Sequence, residues 1–281
     1  MGAQSPGAGG PGPLRLPGPR APWPPPVRPY DGLVTPPLSL HAWLRYDAIE
    51  RQLRQVEGIR TVLELGAGQG SVGVLLARRY EYVGVEPDPS SFATARDRFA
   101  KAGVREIVLG DATALEPGRT FDLVCAFEVL EHVEDDHGTL AEWTSLVVPG
   151  GWLLVSVPAG SDRFGPSDVK AGHVRRYDRE DLGRLLAASG LVELSIAAYG
   201  FPAGYVLEAG RNLVARRLDS GGSLADRTAA SGRWLQPPDW SASALLALAW
   251  PLRLLQRPFV AGRLGTGLVA LARRPLHSGS A

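Results

Sequence analysis

Residues 61–70, Thr61-Val62-Leu63-Glu64-Leu65-Gly66-Ala67-Gly68-Gln69-Gly70, constrain this chain more than any other stretch. An apolar, β-branched run of this kind reads as a buried strand, and here it passes directly into a glycine-rich turn with a helix beginning near Ser71. Glycines allow the backbone to approach a ligand closely and leave N–H groups pointing outward at a helix start, a place for a small anionic or polar group. Four further apolar runs, at 82–85, 106–109, 121–127 and 152–157, are separated by helical patterns or turn residues. Strands alternating with helices, and apolar on both faces, predict an α/β fold: a doubly wound, mostly parallel sheet covered on both sides.

The rest of the chain is arranged around that core. Leu40, Trp43, Leu44, Ile49, Leu53 and Val56 recur at helical spacing and predict an amphipathic helix leading to Gly58. Residues 178–189 predict another, with Asp178 as N-cap, Glu180 and Asp181 in its first turn and Gly190 just past its end. A sixth strand is expected at 191–199 and a seventh at 266–272, separated by an insertion, 203–262, too long for a simple turn. Two helices, 203–218 and 241–256, are expected in it, folding over the sheet edge as a substrate lid, with a local extension of the core or a dimer contact as the alternatives. Residues 1–37 hold 12 of the 24 prolines and 7 of the 34 glycines with almost no apolar periodicity, and read as a disordered tail without a secretory signal. The expected organisation is therefore tail 1–37, core 38–202, helical insertion 203–262, final strand 263–275 and tail 276–281.

Composition narrows the function classes. Thirty Lys plus Arg against 29 Asp plus Glu leave a net charge of +1, so no global field draws the chain to nucleic acid, and only the Arg175-Arg176 and Arg216-Arg217 pairs offer a patch. No nucleic acid partner is expected. The single cysteine, Cys125, excludes an internal disulfide and a multi-cysteine zinc site and fits a reducing cytoplasm. The apolar stretch 244–252 is interrupted by Pro251 and bordered by Arg253 and Arg257, too short for a span of about 20 residues. Trp250 and those arginines make peripheral membrane contact through 241–257 one expected role of the insertion, beside a bulky apolar acceptor.

Two carboxylates sharpen the glycine turn into a nucleoside site. Glu86 ends the second strand, 20 residues after Gly66, where a carboxylate accepts both hydroxyls of a ribose. Asp111, before Ala112, ends the third, where it can accept from an adenine amino group. The dinucleotide fingerprint requires glycine at position 71, which is serine, and a phosphate loop requires a lysine that residues 1–100 lack. A nicotinamide-dependent oxidoreductase and a non-catalytic cofactor-binding partner stand as alternatives.

Glu64-x-Gly66-x-Gly68-x-Gly70, Glu86, Asp111, Phe127-Glu128-Val129-Leu130-Glu131-His132 and Val148-Pro149-Gly150-Gly151-Trp152 together resemble the class I S-adenosylmethionine-dependent methyltransferases over about residues 40–200. The resemblance implies a seven-stranded sheet with an antiparallel last strand between two earlier ones, and S-adenosylmethionine as cofactor. It also implies that Gly66, Ala67, Gly68 and Gly70 lie along the methionine part, with Glu64 in the same motif. Glu86 with Pro87 would meet the ribose, Asp111 with Ala112 the adenine, and Phe127 the flank of the adenosine pocket. Leu44-Arg45 and the 127–132 motif are similar to the quinone-biosynthesis O-methyltransferases, which implies that Arg45 meets the cofactor's carboxylate. Proline tail and insertion depart from that pattern.

Methyl transfer to a hydroxyl, less readily to nitrogen or carbon, needs a positioned acceptor and a group that takes its proton. His132 and His173 are the catalytic candidates, His173 as proton acceptor or as a further metal ligand. Glu128, Glu131 and His132 stand at i, i+3 and i+4, which places them on one face of a helical turn able to hold a divalent ion such as Mg2+. A metal-free pocket shaped by the same residues is the alternative. Arg175, Arg176 and Tyr177 are candidates for an anionic or polar substrate group, or else for pairing with Asp178 and Asp181. His41, His137 and His277 are expected at the surface.

Overall fold

The structure is a computed structural model that describes residues 35–217, 227–228 and 236–276. Seven strands form one sheet: β1 (Thr61–Leu65), β2 (Glu81–Glu86), β3 (Glu106–Leu109), β4 (Phe121–Phe127), β5 (Val147–Pro158), β6 (Val192–Tyr199) and β7 (Gly267–Arg273). Their order is β3-β2-β1-β4-β5-β7-β6. The first five pair in parallel, and β7 runs antiparallel between β5 and β6, as the resemblance implies. Strand apolarity has its predicted cause. Along β1 and β4, Leu63, Leu65, Val124 and Ala126 enter one core, while Val62, Leu123 and Cys125 enter another on the opposite face.

Helices cover both faces: α1 (Leu40–Leu53), α2 (Ser71–Leu76), α3 (Pro89–Ala102), α4 (Asp136–Ser145), α5 (Pro166–Ala171), α6 (Arg179–Ala188), α7 (Ala203–Arg217) and α8 (Ala242–Gln256). Asp88 caps α3 by accepting from Ser91 N at 2.8 Å, and Gly103, at φ 73°, closes it. Asp178 is the N-cap residue of α6 as expected, but its carboxylate accepts from Ser161 N and Oγ and makes no cap bond. Packing also begins earlier than expected, because Pro36 and Pro37 are buried; residues 1–34 lie outside the described residues.

The insertion divides between two places. α7 packs on α5, whereas α8 packs on α1, on the sheet face away from α5 and α6. Buried polar contacts dock α8: Arg253 donates to Glu50 Oε2 at 2.7 Å, and Gln256 donates to Leu44 O at 3.0 Å and Asp47 Oδ2 at 2.9 Å. Among the described residues, the insertion thus places α7 over the cavity and α8 against α1. Arg253, 4% exposed, is also unavailable to a membrane surface, while Trp250, at 54%, and Arg257 remain outside. No helix among the described residues is long and apolar enough to cross a membrane.

Candidate active site

The strand order reverses on either side of β1, and the C-terminal ends of β1, β2, β3 and β4 open there on one crevice. A cavity of about 1200 Å³ occupies it and extends beneath α7. The glycine turn forms one wall. Gly66, Gly68 and Gly70 all have positive φ, 70°, 56° and 75°, but their surroundings differ. A Cβ on Gly66 would meet Val129 at 2.6 Å and one on Gly70 would meet Phe99 at 2.6 Å, so those two are glycine because the core is tight. On Gly68 it would meet nothing within 4 Å; this glycine keeps open a space that belongs to the cavity. Gly70 contributes packing and helix entry and does not line the cavity, a correction to its expected contact.

Glu86 is the best-placed carboxylate on this side. It is buried, and it accepts from Gly68 N on Oε2 at 2.7 Å and from Asp88 N on Oε1 at 2.9 Å. Two backbone donors fix its plane across the end of β2. Asp111 sits at the rim, where Oδ1 accepts from Thr113 N at 3.0 Å and Thr113 Oγ1 at 2.6 Å, bonds that hold its carboxyl below the usual range. It is thus both the cap of a short turn and a cavity residue. Ala67, Pro87, Ala112 and Phe127 line the cavity as expected. Glu64 also lines it, but accepts from Tyr82 Oη at 2.6 Å. Burial pushes its carboxyl up to about 8, so it acts as a neutral acid.

Across the cavity, the motif after β4 does not form the expected helical turn. Glu128 has φ 59°, and only Leu130–His132 make a 3₁₀ turn. Glu128 therefore leaves the predicted triad: its Oε1 accepts from Ser156 Oγ at 2.9 Å and Tyr199 Oη at 3.1 Å and pairs with Arg45 at 3.5 Å. His173 takes its place. Ligating atoms of Glu131, His132 and His173 lie within 4.8 Å of one another. Glu131 is fully buried and neither carboxylate oxygen has a hydrogen-bond partner. Each imidazole is anchored through Nδ1, His132 to Gly172 O at 3.1 Å and His173 to Asp168 Oδ1 at 2.8 Å, and Nε2 of His173 faces Glu131, 3.8 Å from its Oε1. Burial, and then the neighbouring His173, push His132 down to about 4, so its ring is neutral near pH 7.

The arginines after β5 do not pair with Asp178 and Asp181. Arg176 is buried and donates to Asp168 at 2.7 Å and to Glu208 at 3.0 Å, Arg175 donates to Asp136 at 2.7 Å, and Tyr177 Oη donates to the same carboxylate at 3.0 Å. Of the three, Arg176 lines the cavity. His41 corrects another expectation. It is buried, lines the cavity and lies within 2.8 Å of Thr266 Oγ1 through Nε2, held neutral by burial first and then by Arg211. The signal for it was available: His41 and Arg45 stand at i and i+4, and one helix face cannot be solvent at one position and cavity at the other. Asp168, Glu208 and Arg211, also missed, carry no such local mark. His277 lies outside the described residues.

Residues 40–196 match the family model described as a methyltransferase domain, more than half of the chain. The chain belongs to the methyltransferase domain family. An uncharacterized methyltransferase of Mycobacterium tuberculosis is 36% identical over 116 residues, 41% of this chain and 58% of the relative. A ubiquinone biosynthesis O-methyltransferase of Azorhizobium caulinodans is 38% identical over 109 residues, 38% of this chain and 43% of the relative. This methyltransferase domain thus spans about half the length of the curated relatives it matches. A phosphoethanolamine N-methyltransferase 2 of Haemonchus contortus, solved with S-adenosyl-L-methionine, superposes with a TM-score of 0.54 at 15% identity over 87% of this chain and 54% of that one, a likeness of fold. Family membership does not favour the nicotinamide alternative.

Proposed function

We propose that this methyltransferase domain transfers the methyl group of S-adenosylmethionine to a hydroxyl oxygen of a small acceptor. The observation that carries the reading is Glu86, held by two backbone N–H groups across the end of β2, beside the open space kept by Gly68. A nucleoside fits this wall: Glu86 would hold its ribose, Asp111 and Ala112 would border its base, and Gly66 to Gly68 with Arg45 would hold the amino-acid end. Bound there, S-adenosylmethionine supplies an electrophilic methyl group on a sulfonium. The chain's residues supply the rest. The cavity aligns an acceptor opposite the glycine wall, and Nε2 of His132 or His173 accepts the hydroxyl proton as the oxygen–carbon bond forms and the sulfur–carbon bond breaks.

A divalent ion is a second element, favoured by the buried Glu131 carboxyl, without a hydrogen bond, beside two imidazoles that are anchored through Nδ1. One carboxylate and two nitrogens suit manganese, iron or zinc more than Mg2+, which prefers an all-oxygen shell. Such an ion would lower the pKa of an acceptor hydroxyl.

Isothermal titration with S-adenosylhomocysteine tests the core of the reading. Micromolar binding, lost or weakened on the order of 10- to 100-fold in Glu86→Ala, is the expected result. Unchanged binding in the variant would sink it. Metal analysis of the purified chain, with Glu131→Gln as comparison, tests the ion: stoichiometric metal lost in the variant supports it, and full activity after exhaustive chelation removes it.

A further inference from the structure

Charged side chains on the acceptor side of the cavity are paired almost throughout. Asp168 is held by Arg176 and His173, Glu208 by Arg163 at 2.8 Å and Arg176 at 3.0 Å, and Glu128 by Arg45. Besides the buried carboxyl of Glu131, the exception among the described residues is Arg211. It projects from α7 on the same face as Leu207 and Glu208, all three lining the cavity, and among the described residues it has neither a hydrogen bond nor an ion pair. Its Nε is buried and unpartnered. The helix that carries it is fixed, because Asn212 Oδ1 accepts from Ser167 N at 3.0 Å and Glu208 is locked from two sides. A guanidinium held in place at a cavity wall, with a desolvated N–H left over, lacks an anion. A carboxylate or phosphate can accept from Nε and Nη together, which a neutral group cannot match.

We infer that Arg211 is the acceptor-recognition residue, binding an anionic oxygen group, a carboxylate or a phosphate monoester, carried by the methyl acceptor. The inference rests on the methyltransferase reading and replaces the expectation of a wholly apolar acceptor. The adjacent carboxylates do not repel such a group, since Glu208 and Asp168 are each neutralised by arginine.

Ligand-observed NMR competition on the full chain, saturated with S-adenosylhomocysteine, tests it with matched probes: benzoate against benzamide, and phenyl phosphate against phenol. At least one anion is expected to bind about tenfold more tightly than its neutral partner, the two pairs telling carboxylate from phosphate. The preference is expected to fall below about twofold in Arg211→Gln and to survive in part in Arg211→Lys, with S-adenosylhomocysteine affinity unchanged in both. No anion preference in the unmodified chain, whether or not the probes bind, overturns the inference, as does a preference that persists in Arg211→Gln. A tenfold loss of S-adenosylhomocysteine affinity in Arg211→Gln assigns the guanidinium to the cofactor's own carboxylate and also overturns it. A chain that does not bind S-adenosylhomocysteine at all fails at the underlying reading, and the inference falls with it.

Discussion

The two sides of the cavity are built differently. On the cofactor side the working groups are backbone N–H donors, positive-φ glycines and single carboxylates at successive strand ends, each placed by a few neighbouring residues. On the acceptor side they are side chains from α1, the turn after β4, α5, the loop after α5 and α7, joined through the buried chain His173–Asp168–Arg176–Glu208–Arg163. The first side tolerates the loss of one group with its fold intact. The second couples its chemistry to its stability, because within that chain each buried charge is balanced by another.

Breaking that coupling should have the largest effect. Arg176→Met leaves Asp168 and Glu208 short of a buried partner, and a loss of about 3–5 kcal/mol in unfolding free energy is expected by denaturant titration. A loss under 1 kcal/mol would show that the acceptor wall is no more coupled than the cofactor wall. Within the glycine turn the contrast is sharper. Gly70→Ala adds both a positive-φ strain and a collision with Phe99, and should cost about 2–3 kcal/mol of stability. Gly68→Ala carries only the strain, about 1 kcal/mol, and should act mainly on S-adenosylhomocysteine binding, measured by calorimetry, because its Cβ points into the cavity. Equal stability losses would erase the distinction between a packing glycine and a ligand-facing one.

The smallest effect expected is one of pH. Glu64 stays protonated in the folded chain up to about pH 8, whereas in the unfolded chain it ionises near its ordinary value of about 4.5. The unfolded state therefore loses that proton first, and stability falls as pH rises between the two values. Glu64→Gln should change the melting temperature little at pH 5 and raise it relative to the unmodified chain at pH 8. An equal shift at both values would mean that the carboxyl is not held neutral.

The cofactor side was legible because its determinants are contiguous. A strand with apolar residues on both faces, a turn that only glycines can make and a carboxylate at the next strand's end identify one another without reference to the rest of the chain. The fold was legible for a related reason, since period and apolarity report which faces are buried. The acceptor side was not. The spacing of Glu128, Glu131 and His132 presupposed a helical turn, and the left-handed backbone at Glu128 sends that residue to Arg45, Ser156 and Tyr199 instead. His173 completes the cluster from 41 residues further along, a pairing that no local pattern encodes.

Sequence alone determined the doubly wound sheet, the crevice at its carboxyl edge and the carboxylate at the end of its second strand, because each follows from local periodicity or backbone permission. Tertiary structure decided which histidine joins Glu131, where the insertion's two helices go and that Arg211 has no counter-charge among the described residues. A polar side chain buried by distant segments takes its role from whichever partners the fold brings within hydrogen-bond distance, and that distance exists only once the chain has folded.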